Sequence, residues 1–380
     1  MKTWSTPWGA LELGRHPYDA DPALQAWSAA DTLLARWALE TSPSTSTHIV
    51  YNDAFGALTT LLVHTGKPVV QVSDSCLTQR ATLWNLDANG LDSKNLQLVD
   101  SLTVPRIPGD DRPAVLIRLP KSLALLEFQL RQLRKILPTG ISVAAAGMIK
   151  DVHSSTLELF DRLLGDTETD LAEQKARLIR VRVAERPESP NPFPTKWPLP
   201  GLGVTMINQA AVFSREGLDP GTRLLLKHFP HLKNGPQTII DLGCGNGVLG
   251  LAAARRATEA EVYCVDESFM AVWSARESFR ANEMGGRGFF LAGDGLEDFE
   301  RASADVILCN PPFHFQNAQT REIALRFFDQ ARYVLKAGGD LWVVANRHLG
   351  HHKALTERFK TVRTAALNES YIVLKATSTV

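Results

Sequence analysis

The sequence contains the stretch Thr238-Ile239-Ile240-Asp241-Leu242-Gly243-Cys244-Gly245-Asn246-Gly247, which leads directly into an apolar segment at 248–256. The apolar residues that end at Asp241 predict a short buried strand, and the segment after Gly247 predicts a helix. Glycines between a strand and a helix let the backbone approach a ligand that lies over the helix N-terminus. The stretch therefore predicts an α/β fold with a ligand site at the end of this strand.

The kind of ligand stays open at this point, because Gly245-x-Gly247-x-x-Gly250 also fits the fingerprint of dinucleotide-binding enzymes. Asp266 ends the next predicted strand, where a carboxylate suits the ribose hydroxyl groups of a dinucleotide or of another nucleoside-containing cofactor. Asp294 follows a third predicted strand. It can accept a hydrogen bond from an adenine amino group, or it is a solvated turn residue.

A second stretch favours methyl transfer over hydride transfer. It runs Asp305-Val306-Ile307-Leu308-Cys309-Asn310-Pro311-Pro312-Phe313 and reads as a buried strand that ends in a stiff turn. The side-chain oxygen of Asn310 and the carbonyl of Pro311 can together accept both hydrogens of an NH2 group. Phe313 offers a face on which a flat ring can stack. Such a site suits methylation of a ring-conjugated amine, and the alternative is a purely structural turn.

Composition limits the class of protein. The 380 residues are too many for one ordinary core, so two domains are expected. Lys and Arg together number 41, as do Asp and Glu, so a nucleic-acid partner would need a local basic patch. The four scattered cysteines predict reduced thiols rather than disulfides or zinc ligands. Without an apolar signal core or a membrane-spanning run, we expect a cytoplasmic protein with no membrane contact and no metal.

Strand and helix patterns alternate along both halves, which indicates α/β architecture throughout. Predicted strands lie at 48–51, 69–72, 114–117, 141–146, 178–183, 238–241, 262–266, 289–291, 305–309, 341–345 and 371–374, the last as an antiparallel edge. Predicted helices lie at 21–39, 57–63, 123–137, 218–229, 248–256, 268–282 and 322–335. Six prolines crowd residues 187–200 and predict a stiff linker between domains at 1–186 and 201–380.

The two halves resemble each other. Residues 50–58 align with 241–249, so that Gly56 falls on Gly247, and Pro120 falls on Pro311. In the first copy Asn52 and Ala54 replace Gly243 and Gly245, and Leu119-Pro120-Lys121-Ser122 replaces Asn-Pro-Pro-Phe. We therefore expect two copies of one fold, of which only the second binds a cofactor and carries out chemistry. Chance similarity between two α/β halves is the alternative.

The glycine stretch, Asp266, Asp294 and Asn-Pro-Pro-Phe together resemble class I S-adenosylmethionine-dependent methyltransferases. More narrowly, Val212-Phe213-Ser214-Arg215, Asn-Pro-Pro-Phe-His at 310–314 and Val-Ala-Asn at 344–346 are similar to ribosomal-RNA guanine-N2 methyltransferases. The endings at 344–349 and 372–376 look most like the members that act on 23S rRNA, with the 16S members as the runner-up. These enzymes carry a degenerate N-terminal methyltransferase copy.

The resemblance implies two tandem Rossmann-like methyltransferase domains with doubly wound, mostly parallel sheets, the first degenerate and used for RNA binding or structure. It implies that S-adenosyl-L-methionine lies against one group of residues, namely Asp241, Gly243, Gly245, Gly247, Asp266 and Asp294. It also implies that Asn310 and Pro311 hold the guanine amine in line with the methyl group, with Phe313 stacked on the base.

Candidate contacts to RNA are less specific. Arg180 and Arg182, with Arg177, are predicted on one face of a strand, and they either follow phosphates or form a solvated face. Arg215 could meet the cofactor carboxylate or a phosphate, or form a surface ion pair. His314 is expected to orient its loop rather than act as a base.

Three other functions remain as alternatives at this stage. The glycine spacing is compatible with a nicotinamide oxidoreductase, although this leaves Asn-Pro-Pro-Phe unexplained. A non-enzymatic RNA-binding protein would leave both the glycines and Asn310 unexplained. Methylation of a protein glutamine also uses Asn-Pro-Pro with an aromatic residue, often Tyr, where this chain has Phe313.

Overall fold

The computed structural model describes residues 1–17, 23–41, 46–107, 112–229, 231–232, 237–312 and 318–379. The chain forms two compact units, Met1–Pro192 and Phe193–Val380.

The first unit is built on a seven-stranded sheet. The strands of the sheet are β3 (His48–Tyr51), β4 (Val69–Ser73), β5 (Leu96–Asp100), β6 (Ala114–Arg118), β7 (Ser142–Met148), β8 (Gly165–Thr169) and β9 (Ala176–Val183). Two further strands, β1 (Lys2–Thr6) and β2 (Gly9–Leu13), form a separate N-terminal hairpin. Its helices are α1 (Ala29–Thr41), α2 (Ala57–His64), α3 (Cys76–Ala88), α4 (Leu123–Ile136) and α5 (Ser154–Leu163). The strand order is β5-β4-β3-β6-β7-β9-β8, parallel from β5 to β7 and antiparallel at β9 and β8.

The second unit repeats this plan. Its strands are β10 (Thr195–Leu199), β11 (Val204–Asn208), β12 (Thr238–Leu242), β13 (Glu261–Asp266), β14 (Gly288–Ala292), β15 (Ala304–Cys309), β16 (Leu335–Asn346), β17 (Thr361–Leu367) and β18 (Tyr371–Thr377). Its helices are α6 (Pro220–Lys227), α7 (Val248–Arg256), α8 (Phe269–Ala281), α9 (Ala318–Val334) and α10 (His351–Thr356). The sheet order is β14-β13-β12-β15-β16-β18-β17, the counterpart of the first sheet strand by strand.

Both sheets are covered on both faces, which explains why their central strands are apolar runs rather than alternating ones. In β3, Val50 packs into one core, and its neighbours Ile49 and Tyr51 pack into another. In β12, Ile239 and Ile240 likewise enter separate cores. The predicted α/β class with two doubly wound, mostly parallel sheets is therefore confirmed.

The structure corrects three details of the sequence analysis. β18 was predicted as an edge, but it lies between β16 and β17, and β17 is the outer strand. β17 has few buried side chains, so it lacks the apolar run by which strands were recognised. Residues 195–199, assigned to the proline-rich linker, form β10 and pair antiparallel with β11. Pro198 is tolerated there because β10 pairs with β11 alone, and an edge strand does not need every N–H group for pairing. The helix predicted from residue 21 begins at Ala29.

Candidate active site

A glycine turn joins β12 to α7 and is tied to the neighbouring strand. The backbone N–H groups of Gly243 and Cys244 donate to the carbonyl of Val265 on β13, at 2.9 and 3.0 Å. Gly247 is the N-cap of α7, with φ +77° in the left-handed region. A Cβ at this position would lie 2.7 Å from the Cβ of Ala275 on α8, so a side chain has no room here. At Gly245, with φ +53°, a Cβ would meet no atom within 4 Å, so the turn borders open space.

Asp241 lies beneath this turn and supports the start of α7. Its carboxyl group is 1% exposed, and its Oδ2 accepts a hydrogen bond from the N–H of Gly250 at 2.7 Å. Burial raises the pKa of this carboxyl to about 8, and the nearby Asp266 acts in the same direction, against the lowering effect of the Gly250 N–H. The side chain therefore fixes the turn from below while carrying a proton near neutral pH.

Asp266 ends β13 and reaches the same turn. Its Oδ2 accepts from the N–H of Gly245 at 2.9 Å, and its Oδ1 accepts from the N–H of Ser268 at 3.0 Å. Burial raises the pKa of Asp266 despite these hydrogen bonds. The carboxylate and the glycine turn, predicted separately, are thus in direct contact at the carboxyl edge of the sheet.

Asp294 follows β14, the next strand along the same edge, and is 3% exposed. Its Oδ2 accepts from Nη2 of Arg326 on α9 at 2.5 Å. Gln330, one turn further along α9, donates from Nε2 to the Asp294 carbonyl at 3.1 Å. Neither Arg326 nor Gln330 was predicted as a site residue from the sequence. An Arg and a Gln spaced four residues apart on a predicted helix were the available signal.

Asn310 directly follows β15, which lies beside β12 in the sheet. Its Nδ2 donates to Oδ2 of Asp219 at 3.2 Å and to Oγ1 of Thr222 at 3.0 Å. Pro311, the next residue, is buried. Phe313 and His314 belong to 313–317, which lie outside the described residues.

The predicted basic residues are for the most part engaged within their own units. Arg215 donates from Nη1 to the Ala210 carbonyl at 3.2 Å and from Nη2 to Glu216 at 2.6 Å. Arg180 pairs with Asp170 at 2.8 Å, whereas Arg182 is exposed. Arg177, predicted on the same face as these two, lies on the opposite face of β9, because side chains alternate with a period of two and Arg177 differs in parity.

In the part of the chain that the structure covers, no helix combines the length and apolarity needed to cross a membrane. No cluster of three or more His, Cys, Asp or Glu side chains suited to a metal ion occurs among those residues.

A seven-stranded sheet in this order, with the glycine turn after β12 and carboxylates at the ends of β13 and β14, is the Rossmann-like fold of class I methyltransferases. Two family models match the chain: the RLMG N-terminal domain over residues 1–185 and the methyltransferase small domain over residues 203–375.

Curated relatives narrow the class. The ribosomal RNA large subunit methyltransferase G of Streptomyces avermitilis is 45% identical over 379 residues, which cover 98% of each chain. That of Pseudomonas aeruginosa PAO1 is 44% identical and covers 99% of this chain and 100% of its own. The chain belongs to the ribosomal RNA large subunit methyltransferase G family.

A solved structure supports the fold over nearly the whole length. The T. thermophilus 16S rRNA N2 G1207 methyltransferase (RsmC), in complex with AdoMet and guanosine, superposes with a TM-score of 0.77. It is 25% identical, and the match covers 99% of this chain and 97% of that one. Because the chain belongs to a family of methyltransferases, it is not the nicotinamide oxidoreductase that the glycine spacing alone had left open.

Proposed function

We propose that this protein transfers the methyl group of S-adenosyl-L-methionine to the exocyclic N2 amine of a guanine in 23S ribosomal RNA. The observation that carries the proposal is the placement of the Asn310 amide at the end of β15, beside the strand that bears the glycine turn. The names of the curated relatives support large-subunit RNA as the substrate. The name of the 25% identical structure supports guanine N2 as the methylated atom.

The residues present suit the cofactor. The open space at Gly245 leaves room for a ligand against the backbone at the N-terminus of α7. We assign Asp241, Gly243, Gly245 and Gly247 to the methionine end, Asp266 to the ribose and Asp294 to the adenine. The bound cofactor supplies an electrophilic methyl group on a sulfonium centre, and the remaining work belongs to the protein.

That work is chiefly positioning. The N2 amine of guanine is a weak nucleophile, because its lone pair is delocalised into the ring. Asn310 Oδ1 and the Pro311 carbonyl would accept its two hydrogens and restore electron density to nitrogen. Placing the nitrogen in line with the methyl group can lower the barrier by about 7–11 kcal/mol. The alkylated nitrogen is acidic, so it loses its proton without a strong base.

The target base must first leave its stack, which costs about a few kcal/mol. Stacking on an aromatic ring, the role we assign to Phe313, returns roughly 1–3 kcal/mol per base. His314 would orient the same loop.

We infer that chemistry belongs to the second unit, Phe193–Val380, and that the first unit, Met1–Pro192, serves RNA binding or structure. In the first unit Asn52 stands where the second has Gly243, and its side chain is bonded to Gln129. Arg182 is exposed and suits phosphate contact, whereas Arg180 and Arg215 would first have to exchange their present partners. Because ribosomal RNA is the substrate, we assign the protein to the cytoplasm, in keeping with its four free, buried cysteines.

The test is methyl transfer from labelled S-adenosyl-L-methionine to undermethylated 23S and 16S RNA, followed by mapping of the modified base. We expect N2-methylguanine in 23S RNA, and we expect Asn310→Ala to lower turnover by on the order of 100-fold or more through loss of a preorganised polar contact. The exposed Asn95, in the first unit, provides a control variant, Asn95→Ala, which should keep full activity. Product in 16S RNA alone would contradict the proposed substrate. Unchanged turnover in Asn310→Ala would contradict the mechanism.

A further inference from the structure

The orientation of the Asn310 side chain is set by two residues at the start of α6. Asp219 is the N-cap of this helix, and its Oδ2 accepts from the Thr222 N–H at 2.8 Å as well as from Asn310. Asp219 is 6% exposed and Thr222 is 5% exposed. The first turn is further confined by Tyr371 on β18, since a Cβ on Gly221 would lie 3.0 Å from its ring. The two acceptors are therefore held rigidly.

This arrangement selects one of the two orientations of the amide. Asp219 Oδ2 already accepts from the Thr222 N–H, so it acts as an acceptor and pairs with the NH2 group of Asn310 rather than with its oxygen. Thr222 Oγ1 accepts the second N–H of the same group. Both hydrogens of Nδ2 are then used, and Oδ1 is the atom that remains to receive a hydrogen from a substrate. A flipped amide would present NH2 to a substrate amine, donor against donor.

We infer that Asp219 and Thr222 are positioning residues for methyl transfer, which lock the Asn310 amide with Oδ1 directed at the substrate amine. This inference rests on the proposed function for its kinetic consequence, although the hydrogen bonds themselves can be tested without any substrate. Asp219 and Thr222 touch the substrate only through Asn310. Their loss should therefore lower kcat and leave the KM for S-adenosyl-L-methionine nearly unchanged.

The first experiment compares Thr222→Val with Thr222→Ser. Valine keeps the shape of threonine and removes the acceptor, whereas serine keeps the hydroxyl group and removes a methyl group. We expect Thr222→Val to lose on the order of 10-fold or more in single-turnover rate, and Thr222→Ser to stay within about 3-fold of the parent protein. Equal rates in the two variants, at equal thermal stability, would overturn the inference.

The second experiment exchanges the amide of Asn310 and the carboxyl group of Asp219 between the two positions. Asn310→Asp alone sets a carboxylate against Asp219, so it should nearly abolish turnover. In the double variant Asp219→Asn with Asn310→Asp, an amide nitrogen at the former Oδ2 position can donate to the new carboxylate, at the expense of the hydrogen bond that caps α6. We expect the double variant to recover at least 10-fold over Asn310→Asp. A purely structural role for Asp219 predicts that the second change adds damage, and such a result would refute the positioning role.

A readout without substrate separates this inference from the proposed function. Selective ¹⁵N-asparagine labelling makes the side-chain NH2 signals visible by NMR, and the signal lost in Asn310→Ala identifies that of Asn310. We expect its hydrogens to exchange with solvent more slowly in the parent protein than in Thr222→Val. Slow exchange without methylation of any ribosomal guanine would refute the proposed function but support the positioning role of Asp219 and Thr222. Methylation with equally fast exchange in both proteins would refute the positioning role and support the proposed function.

Discussion

At the scale of single residues, the burial of Asp241 makes the free energy of unfolding depend on pH. The unfolded chain releases the proton of an aspartate near pH 4, whereas in the folded protein the pKa of Asp241 is about 8. Between these values the folded state binds more protons than the unfolded state, so the free energy of unfolding falls as pH rises. The stabilising contribution is complete below about pH 4 and is lost by the time the pH passes 8.

Asp241→Asn should remove this loss, because an amide does not titrate and its oxygen can still accept the Gly250 N–H. We expect the unfolding free energy of the variant, relative to the parent protein, to rise between pH 5 and 8 by up to about 1.4 kcal/mol per pH unit. Denaturant unfolding of the cofactor-free proteins at several pH values measures this difference. The exposed Asp298, changed to Asn, serves as the control for the Asp-to-Asn substitution itself. A constant difference across the range would show that Asp241 is ionised in the folded protein.

At the scale of elements, the glycine turn combines two separable requirements, close helix packing and access for a ligand. Alanine at either Gly245 or Gly247 pays roughly 1–2 kcal/mol for a left-handed conformation. At position 247 the new Cβ also collides with Ala275 on α8, which should cost about 1–3 kcal/mol more. At position 245 it enters the open space and copies Ala54 of the first unit. Gly247→Ala should therefore unfold at a clearly lower temperature than Gly245→Ala.

For Gly245→Ala, the main expected effect is on cofactor binding rather than on stability. We expect Gly245→Ala to lose affinity for S-adenosyl-L-methionine by tenfold or more while staying folded, as measured by calorimetry and thermal unfolding on the same sample. If Gly245→Ala bound the cofactor as the parent protein does, the ligand would not lie against this part of the turn.

The sequence could predict the elements around the site but not their partners. Strand segments such as 306–309 are apolar throughout, because helices cover both sheet faces, and such runs are visible without a structure. Asn310 could be selected because two prolines fix its backbone. Its contacts with Asp219 and Thr222 span 91 and 88 residues and depend on how α6 packs. An Asp followed by Pro predicts a helix start, yet nothing local indicates that its carboxylate also serves a distant asparagine.

At the scale of the whole molecule, the two units share one topology but differ in the residues of the turn that follows β3 in the first unit and β12 in the second. In the second unit Gly243 has φ +68°, and in the first unit Asn52 occupies the equivalent place with φ +60°. Asn52 Nδ2 donates to the Arg118 carbonyl at 3.0 Å and to Gln129 Oε1 at 2.9 Å, and Gln129 Nε2 returns a bond to Asn52 Oδ1 at 2.7 Å. Gln129 is fully buried, and the amide pair lies at the ends of β3 and β6, the counterparts of β12 and β15 in the second unit.

We therefore expect each chain to bind one molecule of S-adenosyl-L-methionine, with the whole affinity arising in the second unit. Isothermal titration of the full chain should give a stoichiometry near one, and Gly245→Ala should weaken that single event. The double change Asn52→Gly with Gln129→Ala serves as the matched variant in the first unit. It removes the amide pair but leaves Ala54 in place of the glycine that the second unit has at 245, so the stoichiometry should stay at one. A second binding event in the parent protein, unaffected by Gly245→Ala, would mean that the first unit has kept a working cofactor site and that catalysis cannot be assigned to one unit by this criterion.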